Sequence, residues 1–143
     1  MDTIIIAKIK KGRDNEIWIT LSTYTGQLRV DIREYFIPEG KSDFSPTKKG
    51  VSVPIERISE LEDMLEAIDT ETVDSAETLE ISKGWEIRGA LREYEKHRYM
   101  ELRNYILNKQ KEWIPAKGVT FKPEIFEQLK ASVRRAASQQ MEI

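Results

Sequence analysis

Cysteine is absent from the chain, and histidine occurs once, at His97. Disulfides, thiol nucleophiles and zinc–thiolate sites are thereby excluded, and few general bases remain. A thiol-free composition fits a reducing, intracellular setting, whether cytoplasm, nucleoid or nucleus according to the source. No run of about 18 apolar residues occurs, so no segment reads as a membrane span and no membrane partner is expected. The opening MDTIIIAKIKKGRD alternates instead of presenting the apolar block of a secretory leader. Phosphate-cradling glycine loops are missing too. Glu60, Glu62, Asp63, Glu66, Asp69 and Glu71 could in principle hold Mg²⁺, but they are scattered around a helix instead of converging. The expectation is a protein that is not an enzyme and uses no cofactor or metal.

What is present is a well-solvated globular composition, 39% hydrophobic and 34% charged over 143 residues. The net charge of −2 conceals segregation. Residues 1–53 hold nine Lys/Arg against seven Asp/Glu, and residues 85–143 hold twelve against eight. Residues 54–84 hold two against ten. The acidity is confined to one helix and the segment after it, and the strand-rich regions are net basic, which permits an anionic partner.

The chain also repeats itself. Residues 16–36, EIWITLSTYTGQLRVDIREYF, align without a gap on residues 86–106, EIRGALREYEKHRYMELRNYI. Identities fall at Glu16/Glu86, Ile17/Ile87, Leu21/Leu91, Tyr24/Tyr94, Arg33/Arg103 and Tyr35/Tyr105. A second pair follows in the same order, KGVSVPIERISEL at 49–61 and KGVTFKPEIFEQL at 117–129. Ordered matches of this kind indicate one folding unit duplicated. Each unit is too small to bury a core of its own, so the two are expected to share one.

Within the first copy, Ile4–Ile9 reads as a strand and Gly12–Asn15 as a turn. Ile17, Ile19 and Leu21 then alternate with polar neighbours, as do Leu28, Val30 and Ile32 after the turn at Thr25-Gly26-Gln27. A loop rich in Ser, Pro and Lys runs to Lys49, followed by a short strand, Gly50–Val53. Pro54 opens a helix with Ile55, Ile58, Leu61, Met64, Leu65 and Ile68 on one stripe. Residues 69–78 read as an acidic linker. The second copy has an abbreviated first strand at Leu79 and Ile81, a hairpin over 85–94 and 97–106, a fourth strand over 112–121 and a helix from Pro123. The fold class predicted is α+β, two ββββα units in tandem, with boundaries 1–68, 69–78, 79–137 and a frayed tail over 138–143. The two helix stripes should face each other and both sheets, as an intramolecular pseudo-dimer.

Asp31-Ile32-Arg33-Glu34-Tyr35-Phe36, then Pro38-Glu39-Gly40, then Pro46-Thr47-Lys48-Lys49-Gly50-Val51-Ser52 leading into a helix, resembles the positive cofactor four family. The resemblance covers residues 4–68 well; the second copy shares it through Leu102-Arg103-Asn104-Tyr105 and Lys117-Gly118-Val119-Thr120. It implies a ββββα fold paired through its helices and a sheet surface that binds single-stranded DNA with little sequence preference, in transcription, replication or repair. The surface implied comprises Lys8, Tyr24, Arg29, Arg33, Phe36, Lys48 and Lys49, with Tyr24 and Phe36 stacking bases. Its counterparts in the second copy are Tyr94, Lys96, Arg98, Arg103 and Lys117. Two lysines that flank the hairpin tip in the family are replaced here by Thr25 and Gln27. Ile106 replaces the second aromatic and nothing matches Lys8, so the second copy should be the weaker surface. Trp18, Trp85 and Trp113 match no stacking position and are expected at edges or in the core. Arg33 and Arg103 have an alternative reading as partners of acidic neighbours. Expected partners are single-stranded DNA, with single-stranded RNA or transcription and replication proteins as alternatives, bound by a monomer with an internal pseudo-two-fold.

Overall fold

The computed structural model describes residues 3–141. β1 (Thr3–Lys10), β2 (Asn15–Tyr24), β3 (Gln27–Phe36) and β4 (Ser45–Pro54) form one antiparallel sheet in chain order. A 3-10 turn at Ile55–Arg57 leads into α1 (Ile58–Ala67). The plan then recurs: β5 (Glu77–Ser82), β6 (Trp85–Tyr94), β7 (His97–Leu107) and β8 (Trp113–Phe121) form the second sheet. A turn at Pro123–Ile125 precedes α2 (Phe126–Met141). The fold is α+β, two ββββα units in tandem.

Each sheet turns one face to the helices. Ile19 pairs with Ile32 and Ile32 with Val51, while Leu21, Val30 and Val53 form the next row. In the second sheet Leu91, Met100 and Phe121 form the corresponding row. These residues and Leu61, Leu65, Leu129 and Val133 of the helices belong to a single buried cluster. The helices pack on each other, and each also reaches the opposite unit: α1 touches β5, and α2 touches β1 and β2. Paired hydrogen bonds repeat the exchange. Arg57 donates to the carbonyl of Ile81 at 3.0 Å and Arg135 to that of Ile6 at 3.2 Å. Each full burial of an aliphatic side chain is worth about 1.5–3 kcal/mol, and neither unit could bury its helix stripe alone.

Three local readings change. β4 begins at Ser45, so Pro46, Thr47, Lys48 and Lys49 lie on a strand and not in a loop. A bulge between Arg33 and Tyr35 absorbs the extra residues of β4, letting a loop-like composition run beside β3. A bulge at Arg103/Tyr105 does the same for β8. Beside each bulge stands a glycine for a steric reason. A Cβ on Gly50 would lie 2.7 Å from the Ile32 oxygen, and one on Gly118 would lie 2.6 Å from the Leu102 oxygen.

The expected tail is helical through Met141, because Ala136 is buried and Ala137 packs on the core. Residues 142 and 143 lie outside the described residues. The acidic linker is docked. The Asp74 amide donates to the Leu91 carbonyl at 2.8 Å, and Val73 packs on the core. Ile68 occupies the space above Gly89, where a Cβ would lie 2.5 Å from its Cδ1. Hydrogen bonds from Thr72 and from the Glu71 amide hold the Asp69 carboxyl below its ordinary range.

Candidate nucleic-acid interface

The faces turned away from the helices carry most of the residues singled out above. On the first sheet, register places Lys8, Trp18 and Arg33 in one row, Thr20, Asp31 and Ser52 in the next, and Ser22 and Arg29 beyond them. Tyr24 ends β2 at the hairpin tip and is 64% exposed. The tip is a two-residue turn with positive φ at Thr25 and Gly26, the geometry that matches strand twist.

The aromatic residues of this face are ordered. Trp18 stacks on Tyr35 with centroids 4.0 Å apart and planes 11° from parallel. The Lys8 ammonium lies 4.4 Å above the Trp18 ring. Burial, then the Asp31 carboxylate, pushes the Tyr35 phenol up, against an opposing pull from Arg33. Trp18 and Tyr35 therefore belong to the outer face, although neither was singled out for it. Their alternation with Ile17, Ile19 and Glu34 carried that signal.

Two expected contacts are relocated. Phe36 shares the alternation of Val30, Ile32 and Glu34, so it stands on the other side of the sheet from Tyr24, at the opposite end of β3. The two rings do not form one stacking surface. Arg98 shares the alternation of Met100 and Leu102 and faces Glu93 at 3.4 Å. Lys96 lies in the second hairpin turn with φ +68°.

Arg33 and Arg103 have a structural occupation. Arg33 makes two 2.9 Å contacts to Asp31 and donates to the Thr47 carbonyl at 3.0 Å. Arg103 donates to Glu101 at 2.7 Å and to the Ala116 carbonyl at 2.8 Å. Both guanidinium groups thus pin a bulge. Arg29 is held by Ser52 and Gln27. Lys48, Lys49 and Lys117 are exposed.

The second outer face has a different charge economy. Arg88 takes the place of Trp18, lying 4.0 Å over Tyr105 and 5.8 Å from Trp113, and it is paired with Glu86 at 2.6 Å. Arg92 is paired with Glu101 and with Asp74 of the linker, each at 3.0 Å. Desolvation lowers the Arg92 pKa, but the hydrogen bonds it donates to these carboxylates outweigh it and raise the value overall. Tyr94 is 68% exposed at the tip.

The two units meet along β4 and β8, and the junction makes composite hollows. One, of about 520 Å³, lies over the first outer face, lined by Tyr24, Gln27, Arg29, Asp31 and Ser52 and closed by Trp85 of the second copy. An adjoining hollow of about 370 Å³ is lined by Arg33, Lys48 and Ser52 on one side and Trp85, Ile106 and Lys117 on the other. Trp85 pairs with Ile106 across β6–β7. A third, of about 290 Å³, reverses the roles: Lys11 and Lys49 of the first copy approach Arg103, Lys117 and Thr120 of the second.

Residues 11–64 match the family described as transcriptional coactivator p15 (PC4). The match lies within the first copy. The matched stretch runs from the turn before β2 into α1, so it contains Tyr24, Arg29, Arg33, Lys48 and Lys49. A relative, the RNA polymerase II transcriptional coactivator KIWI of Arabidopsis thaliana, is 29% identical over 68 residues. That match takes in 48% of this chain and 58% of the relative, so the chain spans little more than half of the relative's length. The matched copy is the one whose outer face lies under the hollow that Tyr24 and Trp85 border.

Of the acidic residues weighed as a metal site, Glu60 pairs with Arg57, and Glu66 with Lys130 and Arg134. Among the described residues, no group of three His, Asp or Glu side chains is placed to hold a metal ion.

Proposed function

We propose that the protein binds single-stranded DNA, without strong sequence preference, on the outer face of its first copy, and that it does so in a coactivator-like role in transcription. The p15 (PC4) family match and the coactivator relative support a nucleic-acid-binding coactivator role. The observation that carries the finer reading is the open hollow over the first sheet. It has an exposed Tyr24 at one end, arginines on its floor and Lys48 and Lys117 in its continuation. Sequence-tolerant single-strand binding requires aromatic faces for bases and cations for phosphates on one accessible surface. Both are there.

Tyr24 is the stacking residue of this reading, and Lys8, Lys48 and Lys49 are its phosphate contacts. Arg33 contributes field and shape while it holds the β4 bulge. The second copy serves mainly to complete the core and the groove wall. The functional particle is one chain, since each unit already has the other as its partner, and sedimentation should give a mass near 16.7 kDa.

The test is a titration with fluorescent oligo-dT at low ionic strength, repeated at rising salt. The expected result is binding whose logarithm falls with log salt by about 0.7 per phosphate contacted. Absence of any salt-sensitive binding would sink the reading. Competition with a matched RNA oligomer separates a DNA binder from an RNA binder.

A further inference from the structure

We propose that Trp85, from the second copy, is a base-stacking wall of the first copy's groove, so that this nucleobase subsite is assembled from both copies. The inference rests on the single-strand reading above and adds to it a residue from outside the matched domain.

Trp85 occupies an unusual place. It shares the alternation of the buried Ile87, yet it sits at the start of β6, tied through Asn104 to Gly50 of the first copy. There it lines both first-face hollows, as only Arg33 and Ser52 also do. Tyr24 stands in the larger hollow and Lys48 and Lys117 in the smaller, so Trp85 lies between an aromatic end and a cationic end. A chain of bases and phosphates threading these hollows would pass its ring.

The ring is also held. Its Nε1–H donates to Asn104 Oδ1 at 2.8 Å. The Asn104 amide group in turn donates to the Gly50 carbonyl at 3.2 Å and to the Lys117 carbonyl at 2.7 Å. One edge of the indole is therefore fixed by a network that crosses from copy to copy, and the ring is only half-buried. An aromatic face fixed before the ligand arrives costs less ordering entropy on binding. Arg29 lies 5.9 Å from the ring and is itself held by three hydrogen bonds to Ser52 and Gln27. A guanidinium has five N–H donors, so some remain for a base edge or a phosphate.

The occupant that fits is a nucleobase in an anionic strand. An apolar side chain would use the indole face, but would leave Arg29, Lys48 and Lys117 without a counter-charge. The position aligned with Trp85 in the first copy is Asn15, so the second face receives no such ring.

Two variants and two oligomers test this. Trp85→Leu is expected to weaken oligo-dT binding by roughly ten- to a hundredfold, the worth of one stacked base. An abasic oligomer of the same length should bind wild type and variant alike, and Trp85→Phe should keep most of the oligo-dT affinity. Equal losses on both oligomers would overturn the inference, marking Trp85 as a structural residue only. Where Trp85→Leu does not fold, Trp18→Phe combined with Trp113→Phe leaves Trp85 as the sole indole. Its fluorescence should then be quenched by oligo-dT and not by the abasic oligomer. Bound oligo-dT without quenching overturns the proposal while leaving single-strand binding intact. A wild-type protein that binds neither oligomer overturns both.

Discussion

The two outer faces share a skeleton and differ in where their charges are directed. In both, an arginine of the third strand pins a bulge in the fourth, and a glycine permits the close approach. On the first face, lysines project outward and Trp18 stacks on Tyr35. On the second, Arg88, Arg92 and Arg103 are turned onto Glu86, Glu101 and Asp74. The shared Arg33/Arg103 and Gly50/Gly118 thus maintain strand geometry, and divergent positions such as Trp18/Arg88 and Ser22/Arg92 change how charge is used on each face.

The largest effects should fall on the shared skeleton and be equal in the two copies. Gly50→Val and Gly118→Val each press a side chain onto backbone and should cost about 3 kcal/mol. Urea unfolding of each variant measures this, and one cooperative transition is expected because the core is single. A loss confined to one glycine would show that the two skeletons are not equivalent.

Next comes the tip. Tyr24→Ala should reduce oligo-dT affinity by about 1–3 kcal/mol, the range for one stacked base, and Tyr94→Ala should have a much smaller effect. Equal losses by anisotropy titration would count against a dominant first face.

The turns offer a smaller contrast. Gly26 adopts φ +77° without strain, but Lys96 holds φ +68° with a side chain. Lys96→Gly should therefore stabilise the fold by about 0.5–1 kcal/mol, read as a rise in the urea midpoint. The gain should come with little change in oligo-dT binding.

The smallest effect concerns the linker. Asp74→Asn removes an exposed ion pair with Arg92, worth at most about 1 kcal/mol. Its informative readout is the salt dependence of oligo-dT binding, which should steepen by up to about 0.7 if Arg92 becomes a phosphate contact. An unchanged slope would mean that Glu101 alone keeps Arg92 occupied.

Much of this was legible in residues. The long hairpins β2–β3 and β6–β7 follow from period-two alternation, and their tips from Thr25-Gly26 and the matching offset in the second copy. The side on which Phe36 stands was legible too, since counting from Ile32 places it with the core residues. The motif resemblance instead assigns it a stacking role alongside that of Tyr24. The start of β4 was hidden, because Pro46 to Lys49 have a loop's composition and only the bulge opposite Arg33 keeps them in the sheet. The place of Trp85 was not legible at all. It depends on β8 lying beside β4, a contact between copies that no local pattern encodes.

The junction along β4 and β8 also alters what inheritance can do with this molecule. In a dimer of identical chains, any change at the end of the sixth strand's counterpart appears twice, once at the rim of each groove. Here Trp85 borders one groove and Asn15 is its unmatched equivalent, so a single codon edits one rim and leaves the other unchanged. One chain with two unequal copies is not bound to improve or decay on both sides together; it has a front and a back.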